Sequence, residues 1–245
     1  MGATIKHIDV KGVQIPVIFE EQKSLPILNL QLVFQNSGYI QDNDKSGLAN
    51  LSSNILNEGT KELGAIAFAQ ELEENAISLT TSNGFETFVI ELSNLKEQSK
   101  KGIELLTSLL KSPNFNQNTL EKLKTLQVGS LKRKENDFDY VSQNLLKSIL
   151  FKGTALENPS SGSIESISKI QLKDIEQFVS RTINLNNLII VAGGDFDIKE
   201  FEELLNPFLT TLEVGEKNES KEIKFISKKE EKTLIKDTQQ AYIYF

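Results

Sequence analysis

The period of the apolar residues changes several times along this chain, and each change marks an element. Residues 5–10 and 13–20 alternate apolar and polar side chains and are joined by Lys11-Gly12, which predicts two short strands. Residues 27–35 place Leu28, Leu30, Leu32 and Phe34 at every second position, the pattern of a strand with one buried face. A polar loop follows from Asn36 to Ser46, turning near Gly38. Helical spacing then runs from Ser46 to Asn57 and stops at Gly59, and a second helix is predicted over 64–75. Residues 77–82 and 85–92 predict a hairpin turning at Asn83-Gly84. From 94 to 111, Leu95, Ile103, Leu105, Leu106, Leu109 and Leu110 suit a helix that Pro113 ends.

Further helical stretches cover 117–135, 138–151 and 171–182, with a loop at 152–163. The continuous apolar run at 187–193 predicts a buried strand, and Asp197 caps a helix reaching about 205. Residues 213–231 are charged and aperiodic, as a linker is. The last residues, Gln240 to Phe245, read as an apolar strand. This order predicts an α+β fold, a two-layer sandwich of one sheet against a helical layer.

Composition narrows the chemistry. The chain has 245 residues, 27 Lys and Arg against 34 Asp and Glu, and a formal net charge of −7. That length allows one large domain or two small ones. An acidic balance argues against nucleic-acid binding or docking on an anionic membrane, since both need clustered cations. Lys132-Arg133-Lys134 is too short for such a patch, and only Arg133 and Arg181 could form bidentate clamps. There is no cysteine and one histidine, His7. Disulfides, thiolate nucleophiles and two-histidine metal sites within this chain are therefore ruled out, and no serine–histidine pair exists if His7 lies away from the active region. No apolar run is long enough to span a bilayer, and the first twelve residues lack a signal-peptide core. The expected compartment is the cytoplasm for the chain as given, or the periplasm if a leader is removed.

The informative segment is 46–60, Ser-Gly-Leu-Ala-Asn-Leu-Ser-Ser-Asn-Ile-Leu-Asn-Glu-Gly-Thr. On a helix, Leu48, Leu51, Ile55 and Leu56 share the apolar face, while Asn50, Ser53, Asn54 and Asn57 share another stripe. A solvated face is the simplest reading, but Ser and Asn are mediocre helix formers and Glu or Lys would serve solvation better.

Gly38, Gly47-Leu48-Ala49 and Gly59-Thr60 around this helix resemble the inverted-zincin peptidases, the pitrilysin and mitochondrial-processing-peptidase family. The resemblance extends through the hairpin at Leu79–Leu95, Ser112-Pro113 before Phe115, Gly162–Ile170 and Leu188–Asp197, covering roughly residues 5–210. It implies the processing-peptidase-like fold, with one mixed, mainly antiparallel sheet. It also implies a zinc motif, G-L-A-H-x-x-E-H-x-x-x-x-G-T, in which two histidines bind the metal and the glutamate activates its water. In this chain the histidines fall on Asn50 and Asn54, the glutamate base on Ser53, and the third ligand, a later glutamate, on Ser130. Gly129 and Leu131 beside it restore no carboxylate. Neutral Asn and Ser oxygens are poor zinc ligands, and a serine hydroxyl is no base near pH 7.

Three functions stay open. The resemblance implies first a non-catalytic subunit of a zinc metallopeptidase. Such a subunit would pair with an active partner carrying an intact H-x-x-E-H motif, or self-associate, and would help to bind and enclose extended peptides. Ser78, Leu79, Thr80 and Thr81 would then offer a strand edge to the peptide backbone, against the plain alternative of an ordinary sheet strand. No cofactor is expected here; zinc is expected only in the active partner. The second function is a structural or scaffold protein that keeps the fold alone. The third, an active metalloendopeptidase, would have to draw on Asp42, Asp44, Glu58 or Glu86, of which the first two read as solvated turn carboxylates and the others as exposed. The expected organisation is an α/β domain at 1–212, a charged linker at 213–232, and at 233–245 the first strand of a second half, beginning near Thr238.

Overall fold

A computed structural model of the chain describes residues 2–226, 229–236 and 239–245. The alternating segments become strands β1 (Thr4–Val10), β2 (Val13–Glu21), β3 (Ile27–Gln35), β4 (Ser78–Asn83) and β5 (Thr87–Leu95), and the continuous apolar run becomes β6 (Leu188–Gly194). They form one six-stranded sheet in the order β1-β2-β6-β3-β5-β4. Every pairing is antiparallel except β2 with β6. The sheet is therefore mixed and mainly antiparallel, with β1 and β4 at its two edges.

The helices are α1 (Leu48–Leu56), α2 (Gly64–Glu74), α3 (Ser99–Lys111), α4 (Gln117–Lys134), α5 (Phe138–Leu150), α6 (Ile164–Lys169), α7 (Leu172–Thr182) and α8 (Ile198–Leu209). Leu28, Leu30, Leu32 and Phe34 of β3 and Phe88, Ile90 and Leu92 of β5 are buried in the core between sheet and helices. Each such side chain contributes roughly 1.5–3 kcal/mol of transfer free energy. The opposite face is polar. There Gln31 on β3 bonds Glu91 on β5 at 2.7 Å, and Ser93 bonds Asn29 at 2.7 Å.

Several boundaries differ from the sequence reading, among them the second hairpin strand, read as 85–92 and observed at Thr87–Leu95. The first helix starts at Leu48 rather than Ser46, because Gly47 has φ of +94°, outside the helical region. The helix predicted from 94 starts at Ser99, because Asn94 and Leu95 complete the ladder with Leu28 and Ile27. Residues 164–169 form the short helix α6, capped by Ser163, where no helix was expected. Helix α8 continues past 205 to Leu209, held by the buried Phe208 and Leu209.

The first part of the aperiodic stretch is docked, although it has no helix or strand. Glu213 O accepts from Leu185 N at 2.9 Å, and Asn218 N donates to Asn187 Oδ1 at 2.7 Å. Ser227 and Lys228 of that stretch, and Thr238, lie outside the described residues. Residues 240–245, read as a strand, are not among the six strands of the sheet. Their two tyrosines lie on α5 instead, with the Tyr242 ring 5.7 Å from Phe138 and Tyr244 Oη donating to Asp139 at 2.9 Å.

Candidate functional site

Helix α1 lies between edge strand β4 and helices α4 and α7. Its start is fixed by two residues. Gly47 allows the turn into the helix, and a Cβ there would stand 2.5 Å from Ile167 Cδ1. Asp42 holds the freed helix N–H groups, accepting from Gly47 N and Ala49 N, each at 2.8 Å. The sequence reading of Asp42 as a solvated turn carboxylate is thus corrected: the residue is only 5% exposed. Burial pushes its carboxyl up to about 7, against the lowering pull of the Ala49, Gly47 and Leu48 amides and of Lys221. Asp44 is exposed, as expected.

The other two acids are not assembled into a site. Glu58 is half-buried rather than exposed, because Lys122 on α4 pairs with it at 2.8 Å. Glu86 is exposed after the hairpin turn. His7 is exposed on edge strand β1, far along the sheet order from α1 and β4.

The polar stripe of α1 is bonded within itself and to β4. Asn54 Nδ2 donates to Asn50 Oδ1 at 3.2 Å. Ser53, 2% exposed, sets its hydroxyl 3.0 Å from Asn50 O and 3.1 Å from Asn83 Oδ1 at the end of β4. Ser130 is half-buried on α4, which packs against α1, but among the described residues its side chain makes no hydrogen bond to the stripe. Three of the four motif positions are therefore adjacent on one helix, and the fourth sits on a neighbouring one.

This donor set does not fit zinc. It contains carboxamide and hydroxyl groups only; Asn50 Oδ1 already accepts from Asn54 Nδ2, and the Ser53 hydroxyl is engaged with Asn50 O and Asn83 Oδ1. Among the described residues no three His, Cys, Asp or Glu side chains converge as a metal cluster would.

Edge strand β4 carries the predicted peptide-binding residues. Leu79 and Thr81 point into the core, while Ser78 and Thr80 are exposed on the open face. One contact here was not anticipated. Asn57, the residue after α1, bonds both backbone groups of Thr81: Thr81 N donates to Asn57 Oδ1 at 2.7 Å, and Asn57 Nδ2 donates to Thr81 O at 2.9 Å. The signal available in the sequence was the asparagine continuing the Asn50–Asn54 stripe at helical spacing, two residues before Gly59.

With this geometry in view, the relationship to known proteins is direct. The sequence profile of the family described as Insulinase (Peptidase family M16) matches residues 17–163. The chain belongs to this family. It is 44% identical over 244 residues to the Helicobacter pylori protein named non-peptidase homolog YmxG, covering 100% of this chain and 56% of that protein. It is 24% identical over 178 residues to the beta subunit of the mitochondrial-processing peptidase of Dictyostelium discoideum, covering 70% of this chain and 37% of that one. Among solved structures, the Pseudomonas fluorescens peptidase M16 inactive domain superposes with a TM-score of 0.82 at 21% identity, over 90% of this chain and 53% of that one. That likeness shows the fold, with the six-stranded mixed sheet and its helical layer. The chain spans about half the length of the curated relatives it matches. It is an M16 homologue related both to a protein named a non-peptidase and to a subunit of a processing peptidase.

Proposed function

We propose that this chain is a non-catalytic member of the M16 family that works beside an active peptidase subunit, helping that partner to bind and enclose extended peptides. The carrying observation is the neutral, mutually bonded set at Asn50, Ser53 and Asn54, with Ser130 on the adjoining helix. These groups supply neither a metal-binding imidazole nor a carboxylate base, so the zinc and the hydrolytic water belong to the partner in this reading. What the chain keeps is the scaffold: an intact sheet, the helix α1 and the edge strand β4. Strand addition at Ser78, Leu79, Thr80 and Thr81 would let main-chain hydrogen bonds hold a peptide without reading its sequence closely.

The test mixes the purified chain with an M16 peptidase from the same cell that carries an intact H-x-x-E-H motif. Hydrolysis of an unfolded peptide by that partner is expected to rise at least several-fold when the chain is added. An unchanged rate, together with no complex on gel filtration, would count against the reading.

A further inference from the structure

The free edge of β4 is closed at its centre by the protein itself. In an antiparallel pair, the backbone groups of successive residues point alternately toward the partner strand and away from it. Thr81 faces Ile90 across the β4–β5 pair and gives both backbone groups to Asn57, so its N–H and C=O point away from β5. By the same alternation, Ile77, Leu79 and Asn83 turn their backbone groups to the free edge. Ile77 N already donates to Leu72 O of α2 at 2.9 Å. Leu79 thus lies between an engaged Ile77 N–H and a closed Thr81, and Asn83 lies beyond Thr81 at the hairpin end.

The Asn57 carboxamide sets an N–H donor and a carbonyl acceptor side by side in one plane, the two kinds of group that a neighbouring strand would present. It meets Thr81 as the N–H and C=O of a facing residue would. We propose that Asn57 acts as a strand mimic that closes β4 at Thr81 and so denies an added peptide the centre of the free edge, between the open backbone groups of Leu79 and Asn83, and that it thereby sets both the register and the weakness of peptide capture. This rests on the reading of β4 as a peptide-binding edge and refines it. The plain alternative is that Asn57 only protects an edge strand from stray pairing.

The experiment compares the native chain with Asn57→Leu, which keeps the side-chain size and removes both polar groups. Asn57 is exposed, so the substitution leaves the core untouched. Asn57→Asp serves as the second variant, since it keeps the acceptor for Thr81 N–H but offers no donor to Thr81 C=O. The probe is a soluble, blocked decapeptide alternating Thr and Val. Binding is read by calorimetry, and amide hydrogen exchange is read at Leu79 and Thr81.

In the free native chain, the Thr81 amide is expected to be protected and the Leu79 amide to exchange faster. The peptide is expected to protect Leu79 in the native chain and both amides in Asn57→Leu, with about tenfold tighter binding by that variant. Asn57→Asp is expected to fall between the two. Binding by Asn57→Leu with none by the native chain would support the same conclusion in stronger form. Equal affinities for native chain and Asn57→Leu would overturn the role of Asn57 and leave the peptide-binding edge standing. No binding by any of the three would overturn both.

Discussion

Ser53 Oγ lies 3.1 Å from Asn83 Oδ1, so the residue that the resemblance sets in the place of a catalytic glutamate ties its helix to the edge strand. Ser53 is 2% exposed and its hydroxyl is engaged. A carboxylate at this point would lose its hydration with no metal or cation to replace it.

Ser53→Glu is therefore expected to destabilise the fold by about 2–4 kcal/mol. The penalty belongs to the ionised form, so it should be larger at pH 8 than at pH 5. Urea denaturation at the two pH values measures it. Equal losses at both would mean that the new carboxylate reaches solvent.

The spacing of Asn50 and Asn54 supports a gain-of-function test. Residues four apart share a helix face, and their side chains already meet at 3.2 Å. Asn50→His combined with Asn54→His is expected to take up zinc with micromolar affinity by calorimetry. The native chain, purified with zinc present, is expected to retain less than about a tenth of an equivalent, in keeping with a donor set that offers zinc no imidazole or carboxylate. One equivalent of zinc in the native chain would sink the assignment of the site as degenerate.

Asp42 gives a pH dependence. Its folded carboxyl is raised to about 7 from an ordinary 3.8, mainly by burial. Between these values the folded chain holds a proton that the unfolded chain has released. Stability contributed by Asp42 is therefore greatest at low pH and is lost as pH rises toward 7, at no more than about 1.4 kcal/mol per unit. Above that window the whole penalty of the buried charge is present. Asp42→Asn is expected to flatten this slope in urea melts taken from pH 4.5 to 8. It should also cost some stability at every pH, since one of the helix amides loses its acceptor.

Gly47 is held by both its conformation and its surroundings. Its φ is +94°, and an added Cβ would stand 2.5 Å from Ile167 Cδ1. Gly47→Ala is expected to cost about 2–4 kcal/mol by chemical denaturation. Ile167→Val removes the clashing methyl, so it should recover part of that loss in the double variant while costing about 1 kcal/mol alone. The unrecovered part holds the backbone strain and the tight approach of the new Cβ to Ser161 O at 3.1 Å and Gly162 Cα at 3.3 Å.

Most of the fold was legible because its signals are local. The every-second-position pattern of Leu28 to Phe34 and the Asn83-Gly84 turn each place an element without reference to the rest of the chain. Errors fell where a distant partner decides. Asn94 and Leu95 look helical by spacing, yet they finish a strand because Leu28 and Ile27 stand opposite them. Asp42 looks like any turn acid until α1 brings its N-terminus over it.

The sequence by itself determined the periodic elements, the family resemblance and the absence of imidazole and carboxylate at positions 50, 53, 54 and 130. These follow from residue type and spacing along one chain. Only the tertiary structure decided what the polar side chains around α1 do. Asn57 closes Thr81, Ser53 meets Asn83, and Asp42 is buried, each through a contact between segments that the chain folds together. Hydrogen bonds are short and directional, so whether such groups meet depends on how helix and sheet pack, and spacing within either element carries no record of it.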